Sequence, residues 1–172
     1  MVAKLKGKME VFFMGKIGLV RVDSRLLHGQ VVTRWIGQVG AKEVIIIDDT
    51  LAKDEFMIEV FEMAAPAGVK LIVKSVSEAK EFLDTKNFEK SIILFKGIPS
   101  LLDGIAHDLP LEEIQIGGIG GGAGRVVVFK NITLTKEEYE QLKKLEADGK
   151  HIFLQTVPEE REVKLTNIAN KF

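Results

Sequence analysis

Short runs of aliphatic and β-branched residues recur along this chain at 17–22, 44–48, 70–73, 91–95, 114–117, 126–129 and 151–157, with helix-compatible segments between them. That rhythm restricts the chain to an α/β architecture. Several runs, such as Val44-Ile45-Ile46-Ile47, are apolar at every position instead of at alternate ones, so their strands must be covered on both faces. The expected fold is an open, mainly parallel sheet flanked by helices on both faces, with right-handed crossovers. The intervening helices are expected at about 30–39, 53–64, 77–84, 99–107 and 136–147. The last is the best marked, because Thr135-Lys136-Glu137-Glu138 has capping-box spacing and Gly149 stands where a helix would stop. Pro66-Ala67-Gly68 punctuates the chain before the third strand.

With 172 residues the chain suits one domain, large enough to bury roughly 70% of the surface its unfolded form exposes. That domain is expected over 17–172. Residues 1–16 carry four lysines around a short apolar patch, and a second methionine, Met14, stands just ahead of the first strand. This leader lacks the central apolar stretch of a signal peptide and is expected to be a poorly ordered extension. There are no cysteines, which excludes disulfides, thiolate metal sites and cysteine nucleophiles and makes the cytoplasm the default location. A net charge of −1, from 24 basic and 25 acidic residues, gives no global field that would favour nucleic acid or an anionic membrane. No apolar run approaches the roughly 18 to 20 residues that span a bilayer.

The chemistry-bearing feature is Arg21-Val22-Asp23-Ser24-Arg25-Leu26-Leu27-His28-Gly29-Gln30, which joins the first strand to a segment where Val31, Val32, Trp35 and Ile36 follow with helical spacing. His28 therefore belongs to a strand-to-helix junction. Helix N–H groups beside it would favour a bound anion, and Arg25 would add a planar fork of donors. An imidazole so placed can act as a nucleophile toward phosphorus; it can equally cap or pack against the helix.

Other motifs have simpler readings. Asp48-Asp49-Thr50 follows the second strand at the carboxyl end of the sheet, where open parallel sheets gather their functional loops. Its residue types are those of a helix cap, although Asp49 stands at the edge that also carries the histidine loop. The cluster Gly117-Gly118-Ile119-Gly120-Gly121-Gly122-Ala123-Gly124-Arg125 precedes the strand-like run Val126-Val127-Val128-Phe129, not the helix that a dinucleotide fingerprint requires. It reads as a turn between strands whose amides and Arg125 could touch an anion or a partner. His107 closes a helix, His151 opens a strand, and the three histidines have no metal-ligand spacing. Trp35 reads as a core anchor.

The histidine loop, the Asp48-Asp49 strand end, Ala64-Ala65-Pro66-Ala67-Gly68-Val69, Leu94-Phe95-Lys96 and Ile116-Gly117-Gly118-Ile119 stand in an order that resembles the IIB component of the mannose/fructose/sorbose family of the bacterial sugar phosphotransferase system. The likeness runs from about Ile17 to about Lys164, and its most specific part is Arg21-Val22-Asp23-x-Arg25-Leu26-Leu27-His28-Gly29-Gln30-Val31-Val32-Thr33-Arg34-Trp35. Ser24 departs from the second aspartate that many relatives carry. The resemblance implies a cytoplasmic phosphocarrier, peripheral to its permease and without cofactor or metal. It would take a phosphoryl group from the phosphohistidine of a IIA partner and pass it to a sugar entering through membrane IIC and IID partners. It implies catalytic roles for His28, Arg25 and Asp23, phosphate contacts for Arg25, with the amides near Gly29 and Gln30 holding the remaining oxygens, and an antiparallel strand toward one end of the sheet. Which sugar is carried stays open.

For such chemistry the imidazole must attack unprotonated. Asp23 would oppose that unless it is turned toward Arg25 or a backbone donor, which is the arrangement expected. The loop should protrude, with Leu26 and Leu27 either on its docking surface or buried beneath it. The residues leave two rival functions open: an anion- or small-ligand-binding α/β regulatory module that is never modified, and a nucleotide-dependent enzyme using the glycine cluster.

Overall fold

The computed structural model describes residues 16–29, 31–85 and 87–172. Apart from Lys16, the N-terminal extension lies outside the described residues, as does Gln30. The main sheet has seven strands: β1 (Ile17–Asp23), β2 (Glu43–Ile47), β3 (Lys70–Lys74), β4 (Ser91–Phe95), β5 (Glu113–Gly118), β8 (His151–Leu154) and β9 (Val163–Lys164), in the order β3-β2-β4-β1-β5-β8-β9. All neighbours are parallel except β8 and β9, so the antiparallel strand stands at one end. A separate hairpin, β6 (Val126–Phe129) with β7 (Ile132–Leu134), follows the glycine cluster.

The continuous apolarity of the strands has the expected cause. On β2, Ile45 and Ile47 enter one core while Val44 and Ile46 enter another on the opposite face. The first core packs against α3 (Val76–Asp84), α4 (Ile98–Ala106) and α5 (Lys136–Ala147), through residues such as Ala79, Leu101 and Leu142. The second packs beneath Trp35 and Ile36, and against Met57, Ile58 and Phe61 of α2 (Glu55–Ala64). Each fully buried aliphatic side chain contributes about 1.5–3 kcal/mol relative to exposure. Sheet and helices are thus fixed together before any polar group is considered.

Local chemistry sets the helix starts. The Asp54 side chain accepts from the Met57 N–H at 3.0 Å before α2. Ser75 and Glu78 form a capping box before α3, and Thr135 and Glu138 form one before α5. After α5 the chain turns at Gly149, whose φ of 100° is left-handed and favours glycine there. The helix expected at 30–39 differs from a regular one: Val31–Trp35 is wound as a π-helical turn before α1 (Ile36–Val39). The wide turn lets Val31, Trp35 and Ile36 all bury in the same core. Such turns are common beside functional sites.

Strands β1 and β5 are neighbours whose following connections leave in opposite directions, β1 toward β2 and β5 toward β8. Their carboxyl ends therefore form the crevice where open α/β sheets hold ligands. The His28 loop follows β1 at that crevice.

Candidate functional site

Alternation along β1 sends Val20 and Val22 into the first core and leaves Arg21 and Asp23, two residues apart, on the opposite face. Both side chains are buried, with 1% and 0% of their surface exposed. Arg21 donates from Nη2 to Asp23 Oδ2 at 3.0 Å and from Nε to the same oxygen at 3.3 Å. Its Nη1 reaches Gln115 Oε1 of β5 and the Gln155 carbonyl, and Nη2 also reaches the Thr156 carbonyl at 3.2 Å. The guanidinium lies 5.4 Å from the Trp35 ring centroid, and the Trp35 indole N–H donates to that same Thr156 carbonyl at 3.1 Å. Every guanidinium nitrogen is thus engaged inside the protein. Burial lowers the pKa of Arg21 and Asp23 opposes that shift.

Room for this buried pair comes from two glycines of β5. A Cβ on Gly117 would stand 2.0 Å from Arg21 Cζ, and one on Gly118 would stand 3.1 Å from Asp23 Oδ2. The beginning of the glycine cluster is therefore strand, made of glycine because the ion pair lies against it. The turn itself is formed by 119–125.

Asp23 organises the loop above it. Its Oδ1 accepts from the Arg25 backbone N–H at 3.1 Å and stands 3.5 Å from Arg25 Nε. Its Oδ2 stands 2.9 Å from His28 Nε2. Burial works against the ionised carboxyl, but the His28 hydrogen bond, the charges of Arg21 and His28 and the Arg25 amide together hold Asp23 below its ordinary range. An ionised carboxylate only accepts, so His28 Nε2 carries the proton of that bond. Among the described residues His28 Nδ1 has no hydrogen-bond partner. The His28 side chain is 15% exposed and that of Arg25 is 52% exposed. Gly29 is exposed, and a Cβ there would meet nothing within 4 Å.

The backbone holds this arrangement at cost. The Leu26 N–H donates to the Asp23 carbonyl at 2.9 Å, and Leu26 takes a φ of 56°, a conformation disfavoured for a bulky residue. Burial of Leu26 and Leu27 in the second core secures the turn against that strain. Ser24 joins the loop to the glycine turn, its N–H donating to the Gly118 carbonyl at 2.8 Å and its Oγ accepting from the Gly120 N–H at 3.3 Å.

Of the residues singled out by sequence, the structure gathers Asp23, Arg25, His28 and Gly29, while Gln30 lies outside the described residues. Of the two placements open to Leu26 and Leu27, the structure takes burial beneath the loop. Two expectations need correction. Asp23 does not turn only to Arg25 and a backbone donor, because its second oxygen also holds His28. Arg125 is held by Glu138 and Thr133, with Nη2 2.6 Å from Glu138 Oε2, so its charge is spent locally. Asp48 and Asp49 act as caps, accepting from the Leu51 and Val76 amides at 2.7 and 2.8 Å. Sequence reading assigned no role to Arg21, Gln115 or Thr156; the alternation that puts Arg21 beside Asp23 was the available signal. Among the described residues no group of three or more His, Asp or Glu side chains is arranged to hold a metal ion.

The arrangement offers a partly exposed imidazole with one nitrogen anchored and the other unpartnered among the described residues, beside a half-exposed guanidinium. Groups of this kind can serve as a nucleophile with an anion-binding fork next to it. Comparison with known proteins agrees with the sequence resemblance. A family model described as the PTS system sorbose subfamily IIB component matches residues 17–172. The sorbose-specific EIIB component of Lacticaseibacillus casei is 30% identical over 82% of this chain and 87% of its own length. The mannose-specific EIIAB component of Escherichia coli (strain K12) is 26% identical over 90% of this chain, which spans 49% of that longer protein. Among solved structures, manxB from Thermoanaerobacter tengcongensis superposes with a TM-score of 0.83 at 34% identity, covering 91% of this chain and 96% of its own.

Proposed function

We propose, from the premise that this chain belongs to the sorbose subfamily of IIB components of the sugar phosphotransferase system, that His28 is its phosphoryl-carrying residue. Membership makes the chain a phosphotransferase component of sugar transport. The proposal adds the atoms. The observation that carries it is the 2.9 Å contact between His28 Nε2 and the buried Asp23 carboxylate, which leaves Nδ1 with the available lone pair.

In the first step Nδ1 attacks the phosphorus of a phosphohistidine on a IIA partner. The new N–P bond forms as the donor's N–P bond breaks, and the donor imidazole leaves. The proton stays on Nε2, so the phosphorylated ring is cationic, and the Asp23 carboxylate beneath it stabilises that charge. Arg25 holds phosphoryl oxygens through guanidinium nitrogens that Asp23 does not occupy, with the Gly29 and Gln30 amides as further donors. Catalysis is then mainly alignment and charge stabilisation. In the second step a sugar hydroxyl attacks phosphorus, His28 leaves as a neutral imidazole, and the hydroxyl proton passes to solvent. No helix among the described residues is long and apolar enough to cross a membrane, which fits a carrier that works beside membrane IIC and IID partners on the cytoplasmic side. The E. coli EIIAB protein, in which a region similar to this chain occupies about half the length, supports a IIA unit as the donor.

The test is mass spectrometry after incubation with phosphoenolpyruvate, enzyme I, the phosphocarrier protein HPr and a cognate IIA. The expected result is an acid-labile gain of one phosphate in the native chain and none in His28→Ala. Persistence of the modification in His28→Ala would overturn the assignment. An unmodified native chain that still binds inorganic phosphate at this loop would favour an anion-binding module.

A further inference from the structure

We propose that Arg21 is a positioning residue for His28: pinned below to Gln115 and to the β8–β9 connection, it clamps Asp23, which in turn holds the imidazole by its Nε2–H and leaves Nδ1 as the attacking nitrogen. The proposal rests on the reading of His28 as the phosphoryl carrier but adds a residue to which neither composition nor motif had assigned a task.

The geometry separates Arg21, on β1, from Arg25, in the loop that follows it. Arg25 is half exposed, and among the described residues it touches the site only at Asp23 Oδ1, through Nε and its own backbone amide. Arg21 is buried, and its three guanidinium nitrogens are shared among Asp23, Gln115 and the carbonyls of Gln155 and Thr156. A phosphoryl group could be gripped by Arg21 only after that network broke, whereas Arg25 is available as it stands. Arg21 must therefore act through Asp23. The same Asp23 oxygen, Oδ2, receives both Arg21 and His28 Nε2, so fixing that atom fixes the ring. Without Arg21 the carboxylate would be buried with its main counter-charge gone. It would rotate toward water or Arg25, and His28 would lose its anchor.

The anchor also reaches a second part of the fold. The Thr156 carbonyl takes the Arg21 Nη2 and the Trp35 indole N–H together, and the Thr156 backbone N–H and hydroxyl both donate to Glu160. Lys130 of the β6–β7 turn pairs with Glu160 in its turn. Arg21 thus sits where β1, β5, the helix after the loop and the β8–β9 connection meet, and a ring held from this point is held by the sheet itself.

Two measurements test this, and one needs no phosphoryl donor. In unphosphorylated native protein, at a pH where the ring is neutral, nitrogen NMR should find the His28 proton on Nε2, in a hydrogen bond slow enough to exchange for its signal to be seen. In Arg21→Gln that signal should vanish and the Nδ1–H form should rise several-fold, with transfer from phosphorylated IIA slower by about 10²-fold, the penalty expected of a misplaced reacting group. Leu101→Ala serves as the control for mere loosening. It removes a buried side chain from the core on the opposite face of the sheet, so it should lower stability and leave the His28 signal in place. An Nδ1–H tautomer in the native protein would overturn the proposal whatever the variants do. So would an unchanged signal in folded Arg21→Gln, or an equal loss in Leu101→Ala. If the native chain shows the Nε2–H bond but never accepts phosphate, the carrier assignment fails while the positioning role of Arg21 stands.

Discussion

Gly117→Ala is the sharpest probe of the buried pair, because the substitution adds a single methyl group at a place where the structure leaves none of the room it needs. The new Cβ would lie 2.0 Å from Arg21 Cζ, 2.2 Å from Nη1 and 2.4 Å from Nε. Carbon atoms rest at about 3.5–4.0 Å, so the guanidinium would have to retreat by roughly 1.5 Å. The hydrogen bonds from Nη2 to Asp23 and Thr156 are 3.0 and 3.2 Å long, and such a retreat breaks them. Neither partner can yield in its place: β5 is fixed on both sides by β1 and β8, and Arg21 is boxed in by Trp35. Uncoupling a buried ion pair costs about 3–5 kcal/mol, which for a chain of this size lowers the midpoint of thermal unfolding by roughly 6–20 °C. The measurement is thermal and urea unfolding of Gly117→Ala beside Gly121→Ala, where a Cβ would meet nothing within 4 Å and the change should stay within about 0.5 kcal/mol. In an Arg21→Met background the Gly117→Ala cost should shrink markedly, since the clash is with the guanidinium. A loss below about 1 kcal/mol in the single variant, or equal losses in both backgrounds, would refute the reasoning that glycine is there for the arginine.

Three further outcomes are expected. Arg25→Lys keeps the charge but loses the planar two-point grip; single-turnover phosphoryl transfer should slow at least about tenfold while stability changes by less than about 0.5 kcal/mol, and equal transfer rates would remove Arg25 from the site. Asp23 is held below its ordinary value of 3.8, so the folded state binds its proton less readily than the unfolded chain. Its contribution to stability is complete above that ordinary value and is lost as pH falls from there through the folded value. Urea unfolding between pH 5 and 2 should therefore show a fall in stability that is shallower in Asp23→Asn. Ser75→Ala removes half of the capping box of α3 and should cost about 1 kcal/mol, read as a lower urea midpoint with an unchanged slope.

What could be read from the residues, and what could not, divides along a physical line. The sheet was legible because strands covered on both faces must be apolar at nearly every position: the runs at 44–48 and 91–95 match β2 to within a residue and β4 over its whole length, and both strands are buried throughout. Helix starts were legible within a residue or two where a side chain caps them, as at Thr135. Strands β7 and β9, of three and two residues, are too short to show any period and are ordered by the neighbours they pair with, so no local signal announces them. The loop divides in the same way. Its residue types announced an imidazole, a guanidinium and a carboxylate in one connection, and the structure joins Arg25 and His28 through the two oxygens of Asp23. The support beneath it comes from Gln115, Gln155 and Thr156, which are 94, 134 and 135 residues away from Arg21 along the chain. Separations of that size are closed only by the sheet order, which no single window of sequence contains. Gly117 shows the consequence most clearly. Its own segment places it at the end of the run 114–117 and the start of a glycine cluster, with nothing to say why a strand residue there should lack a side chain, and it is glycine because an arginine nearly one hundred positions earlier packs against it. The carboxylate that holds the imidazole is thus an outcome of local sequence, whereas the rigidity with which it does so is an outcome of topology.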